Sequence, residues 1–174
     1  MREIKLKARA KINLGLDVVR KREDGYHEVR MVMQTIHLFD RLEISRNDSG
    51  QITMETNLSF LPTNENNLVY KAAKLLQDEF VIKDGVHVWL HKYIPVAAGM
   101  AGGSTDAAAV LYGMNRIFEL GLTKEQLMER GVKIGADVPY CIMRGTALAE
   151  GIGEKLTKLP PMVKCPVLIA KPQI

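Results

Sequence analysis

The sequence predicts an α+β domain, a two-layer arrangement of a mixed sheet and helices. Three observations predict it. Residues 4–18 alternate: Ile4, Leu6, Ala8, Ala10, Ile12, Leu14, Leu16 and Val18 fall on one face, and Lys5, Lys7, Arg9, Lys11 and Asn13 on the other. That is the period of a half-buried strand. Three later stretches, 67–80, 104–118 and 124–133, carry apolar or Ala-rich patterns at helical spacing. The runs follow the order β-β-β-β-α-β-α-α-β-β, which is not the regular βαβα alternation of a doubly wound sheet.

The elements can be justified in order. The run 4–18 reads as one long strand or a bent pair, with Gly15 marking a bulge. Asp24-Gly25 is a turn signal, after which 28–36, 40–46 and 51–56 read as strands. A loop, LPTNENN, leads to the helix 67–80, where Leu68, Ala72, Leu75, Leu76 and Phe80 share a face and Asn67 is a candidate N-cap. Residues 85–92 alternate again, with Val86, Val88 and Leu90 on one side. A Gly/Ala loop then runs into the helix 104–118, with Ser104 or Thr105 as its cap and Asp106 in its first turn, where the helix dipole favours an acid. Thr123 and Gln126 form a capping-box pair before the helix 124–133. Residues 145–149 and 165–170 read as strands, separated by the loop GIGEKLTKLPPM.

Composition narrows the class. The chain has 174 residues, 47% hydrophobic and 25% charged, the mix of one ordinary globular domain. No apolar run approaches the roughly 20 residues of a membrane span, and the N-terminus has no signal-peptide core. Cys141 and Cys165 show no metal-ligand spacing. The simple expectation is an intracellular, cytoplasmic protein without disulfides. The net charge of +4 lies entirely in the first 46 residues, which hold 11 Lys/Arg against 7 Asp/Glu. A basic region of this kind attracts phosphates, on nucleic acid or on a small molecule, or is simply a solvated strand face. His87 and His91 sit four apart on a strand, about 13 Å from each other, too far for one metal. Trp89, between them, reads as packing, and the nine methionines as core filler.

The most informative segment is PVAAGMAGGSTDAAA. Gly99, Gly102 and Gly103 allow close backbone approach and positive φ. The helix behind them offers unpaired N–H groups and a positive dipole end, a cradle for phosphate. Neither GxxxxGK[ST] nor GxGxxG is satisfied, and a flexible turn before a buried Ala-rich helix is the competing reading.

This segment resembles the phosphate-binding motif of the GHMP kinase superfamily, which includes galactokinase and the homoserine, mevalonate and phosphomevalonate kinases. ARAKINLGLDVVRKREDGYHEV, ENNLVYKAAKLL and IGADVPYCIMRGTALAEGIGE resemble, in chain order, further signatures of one branch of it. The resemblance implies transfer of the γ-phosphoryl of ATP, with Mg²⁺ expected, to a tertiary hydroxyl of a small alcohol. That alcohol carries a cytidine diphosphate head and lies on the non-mevalonate route to isoprenoids. It also implies a fold like the second domain of a small-subunit ribosomal protein. Residues 1–174 would be the N-terminal, ATP-binding domain, followed in the family by a second domain with its own GSGP-type motif. Part of the apolar content would then be an exposed face, and self-association through it is an expectation.

The resemblance also places residues. Pro95, Val96, Ala97, Ala98, Gly99, Met100, Ala101, Gly102, Gly103, Ser104 and Thr105 would hold the ATP phosphates. The family usually shows two serines where this chain has Ser104-Thr105, and often leucine at Met100. Asn67 would lie near the adenine, with Lys92 approaching the nucleotide. Asp137 would be the base, with Lys11 beside it, and Asn13 shares Lys11's face of the strand. Tyr26 and His27 would meet the cytosine by stacking and hydrogen bonding. No metal ligand is assigned. Each has a plainer reading: Asp137 as a turn or cap residue, Lys11 as a solvated strand lysine like Lys5 or Lys7, Asn67 as a helix cap, Tyr26 as packing on the hairpin. Two other functions stay open, a kinase of this superfamily acting on another small alcohol, and a basic nucleic-acid-binding module. The AKINL and DGYH segments disfavour the first. The lack of interleaved aromatics and the charge-neutral remainder speak against the second.

Overall fold

Ten elements appear in the computed structural model, which describes residues 1–23 and 25–172. They are β1 (Glu3–Lys21), β2 (His27–Asn47), β3 (Ile52–Thr56), α1 (Leu68–Glu79), β4 (Gly85–His91), α2 (Gly102–Ile117), α3 (Lys124–Val132), α4 (Val138–Met143), β5 (Thr146–Gly151) and β6 (Lys155–Lys158). The β1–β2 turn signal at Asp24-Gly25 lies partly outside the described residues; Gly25 has φ +84°.

β2 is the spine of one six-stranded sheet ordered β3-β4-β2-β5-β6, and β1 pairs along β2 as well. β3 and β4 are parallel and every other pair is antiparallel, so the sheet is mixed, as expected. The separate strands expected at 28–36 and 40–46 are one continuous strand. One face of the sheet takes the helices. Val86, Val88 and Leu90 of β4 and Leu42 and Ile44 of β2 are buried against Leu76 of α1 and Leu111 and Met114 of α2. Closeness at the centre depends on Gly113 of α2, where an added Cβ would stand 2.5 Å from Ile44 Cδ1. α1 and α3 begin as read, with Asn67 capping Val69 N–H and Thr123 paired with Gln126 in a capping box.

Several expectations are corrected. Strict alternation in β1 fails at the middle of the strand. The register slips between Arg9/Phe39 and Lys11/Thr35, and Ala10 and Lys11 are buried in succession. Lys11 therefore leaves the charged face shared by Lys5 and Lys7. The register slips again at Asn13/Gly15, the bulge expected at Gly15. Beyond it Leu14, Leu16 and Val18 are exposed, because no helix covers that half of the hairpin. Ser104 and Thr105 do not cap α2: the helix starts earlier, at Gly102, and its N-cap is Ala101 in a left-handed conformation with no capping side chain. Asp106 is accordingly past the first turn and buried. Residues 155–158, read as loop, form β6 by pairing with β5, while 165–170, read as a strand, has no ladder. Prolines at 160, 161, 166 and 172 remove donors along that stretch, and Val163 and Leu168 stand almost fully exposed. The short helix α4 was not expected at all; with only six residues it is too short for a periodic signal.

Candidate active site

A cleft of about 470 Å³ lies where β1, α1, β4 and the N-terminus of α2 converge. Residues 95–104 form one wall, Asn67 and Leu68 lie at the start of α1, and Lys11, Lys92, Asp106 and Asp137 contribute charge. Residues 96–100 are also the wall of a neighbouring recess lined by Ile12, Asn13 and 169–172. The loop thus separates two spaces that meet near Lys11.

The loop is held in an unusual backbone path. Ala97, Gly99 and Ala101 have φ of +55°, +70° and +54°. Only Gly99, of the three glycines expected to supply positive φ, does so; two alanines carry the rest of the turn. Gly102 serves a different need, since a Cβ there would lie 3.1 Å from Lys92 Nζ and 3.3 Å from Ile94 Cγ2. Without a capping side chain, the first N–H groups of α2 have no intrahelical acceptor. That is a fit for anionic phosphate. Met100 is buried against Ala10, Ile36 and Ile94, and its carbonyl accepts from Lys11 N–H at 3.2 Å, so strand β1 and the loop are tied together at the site.

Lys11 is nearly excluded from solvent. Its Nζ lies 3.7 Å from Asp137 Oδ2 and donates to Asn13 Oδ1 at 3.2 Å. The expected trio therefore meets, and the register slip in β1 is what turns Lys11 inward. Asp137 stands at the N-cap of α4 but its side chain caps nothing, so the plainer cap reading does not hold. Several contacts place it. Val138 packs so closely on α3 that a Cβ on Gly131 would be 2.9 Å away. Tyr140 donates its hydroxyl hydrogen to the Gly145 carbonyl at 2.6 Å and lies 3.0 Å from Thr35 Oγ1. Burial pushes the Tyr140 phenol up to about 12. Burial, and then the Asp137 carboxylate, push the Cys141 thiol up to about 12, which keeps it protonated and unreactive.

Lys92 and Asn67 line the cleft but are committed elsewhere. Asn67 Oδ1 accepts from Val69 N–H at 2.9 Å, and its amide donates to the Pro62 carbonyl at 2.8 Å, so both ends of this side chain are used in shaping the cleft. Lys92 donates to Asp40 and, at 2.7 Å, to Asp106. All three are buried. Asp40 also accepts from the N–H groups of Tyr93 and Ile94, which fixes the chain at the entry to the loop. Asp106 Oδ1 is buried without a partner. Burial raises the Asp106 carboxyl well above the usual carboxylate range, against the opposing pull of Lys92. Burial pulls the Lys92 ammonium down, but Asp106 and Asp40 more than offset it, so its pKa stands above the usual lysine value. Asp40 was missed in the sequence. The signal was its phase: it is in step with the buried Leu42 and Ile44, and a carboxylate on a buried face demands a buried partner.

Tyr26 and His27 are not among the cleft residues. They stand at the exposed far end of the β1–β2 hairpin, ten residues along β1 from Lys11, where His27 pairs with Lys21. Thr105 is buried within α2 and interacts with the Cys141 thiol; Ser104 lines the cleft. Among the described residues, no group of three or more His, Cys, Asp or Glu side chains is placed to hold a metal. None of their helices is long and apolar enough to cross a membrane.

Residues 67–145 match the family described as the GHMP kinases N terminal domain. A 4-diphosphocytidyl-2-C-methyl-D-erythritol kinase of Lachnospira eligens is 63% identical over the whole chain, and one of Lachnoclostridium phytofermentans is 61% identical over 98% of it. The chain spans about 60% of the length of these curated relatives. A crystal structure of a 4-(cytidine 5'-diphospho)-2C-methyl-D-erythritol kinase superposes with a TM-score of 0.79 at 36% identity, covering 90% of this chain and 55% of that one. A homoserine kinase from Cytophaga hutchinsonii shares the fold alone, with a TM-score of 0.69 at 18% identity over 92% of this chain and 52% of the other.

Proposed function

We propose that this chain, which has the fold of a GHMP kinase N-terminal domain, binds ATP in the 95–105 cleft and serves transfer of its γ-phosphoryl to an alcohol bearing a cytidine diphosphate head, 4-diphosphocytidyl-2-C-methyl-D-erythritol. The observation that carries the reading is the buried Lys11 ammonium 3.7 Å from Asp137 Oδ2, beside a loop whose helix N-terminus is uncapped. Phosphoryl transfer needs positioning, a proton acceptor and positive charge around the moving group, and little else from the protein.

Each residue then has a task. The N–H groups at the start of α2 and the Ser104 hydroxyl hold phosphate oxygens. Lys11 orients Asp137 and the acceptor hydroxyl and balances negative charge as it develops. Asp137 takes the hydroxyl proton as the oxygen bonds to the γ-phosphorus and the bond to ADP breaks. Asn13 holds Lys11 in place. Tyr26 and His27, at the far end of the hairpin from Lys11, are assigned to the cytosine by the resemblance alone. Mg²⁺, which neutralises phosphate charge when bound with ATP, would take ligands mainly from the phosphates.

The test is an acceptor comparison with a chain extended to the relatives' length. Turnover on 4-diphosphocytidyl-2-C-methyl-D-erythritol, with homoserine and mevalonate giving none, is the expected result. Turnover on another alcohol alone would overturn the substrate assignment. In the same protein Lys11→Ala is expected to lower kcat by about 10²-fold or more while ATP affinity, measured by calorimetry, changes little.

A further inference from the structure

Away from the cleft, a groove of about 660 Å³ runs between β1 and the helices α2, α3 and α4. Its charge is one-sided. Arg9, Arg116, Lys124 and Arg144 line it with Lys5 and Lys7, and no Asp or Glu does. Elsewhere on the surface Arg20, Arg30, Arg46 and Arg130 each take a carboxylate, from Glu28, Glu150, Asp84 and Glu79. Among the described residues, Arg9, Arg116, Lys124 and Arg144 take none, although Lys5 is answered by Glu43.

The cations are also held in place. Lys124 donates to the Met143 carbonyl at 2.8 Å, at the end of α4. Arg144 follows it at φ +61°, a left-handed backbone that side chains other than Gly and Asn adopt rarely. Its guanidinium is 3.5 Å from the Lys7 carbonyl, a long contact that leaves most of its donors unused. Burial and then the like charge of Arg9 push the Arg144 pKa down; burial and then Lys158 do the same for Lys124. Arg144 is thus crowded by Arg9, and Lys124 by Lys158 and Arg144 with Glu125 as an acidic neighbour, and neither cation has a carboxylate within ion-pair distance among the described residues. Beneath them the floor is apolar: Leu6, Ala108, Ala109, Leu127 and Ile142. Tyr112, exposed, stands beside them as a ring wall. A solvated basic face needs no such floor.

We infer that this groove is a second binding site, for a small organic phosphate whose phosphate or diphosphate head lies among Arg9, Lys124 and Arg144 and whose short apolar or aromatic body lies on Leu6, Ala108 and Tyr112. Paired guanidinium groups suit phosphate oxygens because each offers two parallel donors. The site shares no lining residue with the ATP cleft, so the inference stands whether or not the kinase reading does.

The probes are inorganic pyrophosphate for the head, and phenyl phosphate against inorganic phosphate for the body. Each is titrated into the chain by calorimetry and by amide chemical shifts, with saturating ATP present to occupy the cleft. Pyrophosphate is expected to bind, to shift amides around Leu6 and Ala108, and to weaken as salt rises. R9Q/K124Q, which leaves the Arg144 backbone untouched, is expected to weaken it about tenfold or more. Phenyl phosphate is expected to bind more tightly than inorganic phosphate, and Tyr112→Ala to erase that preference. Unchanged affinity in R9Q/K124Q with a native circular dichroism spectrum, displacement by ATP, or no preference for the phenyl ester would overturn the inference. So would a short RNA that binds the groove more tightly than pyrophosphate at equal salt.

Discussion

Asp137→Asn is expected to lower phosphoryl transfer by about 10³-fold, within the range for loss of a positioned general base, while leaving ATP affinity within about twofold. The variant keeps the size and hydrogen-bonding shape of the side chain and removes its capacity to take a proton at neutral pH. Stability should fall only modestly, through loss of the carboxylate beside the buried Lys11 ammonium. The Asp137 carboxylate caps no helix, and Lys11, its ion-pair partner among the described residues, lies at 3.7 Å, beyond hydrogen-bond length. Single-turnover kinetics and ATP calorimetry on the extended chain check both halves. Near-normal turnover would refute the base assignment.

The second large effect is on folding. Lys92→Met leaves Asp40 and Asp106 facing each other with no cation between them. Removing one partner from a buried charged group destabilises by about 3–5 kcal/mol, to be read by urea denaturation at pH 7. Asp106→Asn should cost less than Lys92→Met, because Lys92 keeps the Asp40 carboxylate as a partner and burial already opposes the charged form of Asp106. The pH dependence follows from the same fact. The folded state holds the Asp106 proton more tightly than the unfolded chain does. Its contribution to stability is therefore full below the ordinary carboxylate pKa and declines as pH rises toward the raised folded value. In Asp106→Asn that part of the pH profile should be flat. Lys92 runs the same way at the alkaline end: its raised pKa gives stability that is present below the ordinary lysine value and lost as pH climbs through the folded one.

These two sites differ in how legible they were. The helices α1 and α3 carried their boundaries in Asn67 and the Thr123–Gln126 pair, and β4 carried its inward face in Val86, Val88 and Leu90, because caps and alternation are local. Lys11 was found only through the resemblance to the GHMP kinases. By alternation alone it belonged with Lys5 and Lys7, and only a slip in pairing with β2, a relation between residues some 25 positions apart in sequence, turns it inward. Asp106 was misread for a related reason. Its helix begins three residues earlier than the capping chemistry of Ser104 suggested, since the loop ends on a left-handed alanine that no propensity would place there. Lys92 was named for the nucleotide, yet its contacts are to Asp40 and Asp106, and Asp40 could have been read from its phase. The strand expected at 165–170 shows the converse: apolar residues interrupted by Pro166, which removes a ladder donor, do not make a strand.

The central claim is that the 95–105 loop, with Lys11 and Asp137, is an ATP site for phosphoryl transfer. The most direct measurement is ATP binding and release of ADP by this chain, side by side with a chain extended to the relatives' length. The account predicts that both bind ATP and that the extended chain forms ADP only when the cytidine-diphosphate alcohol is present. Absence of ATP binding in both, together with RNA binding that weakens steeply with salt, would contradict it.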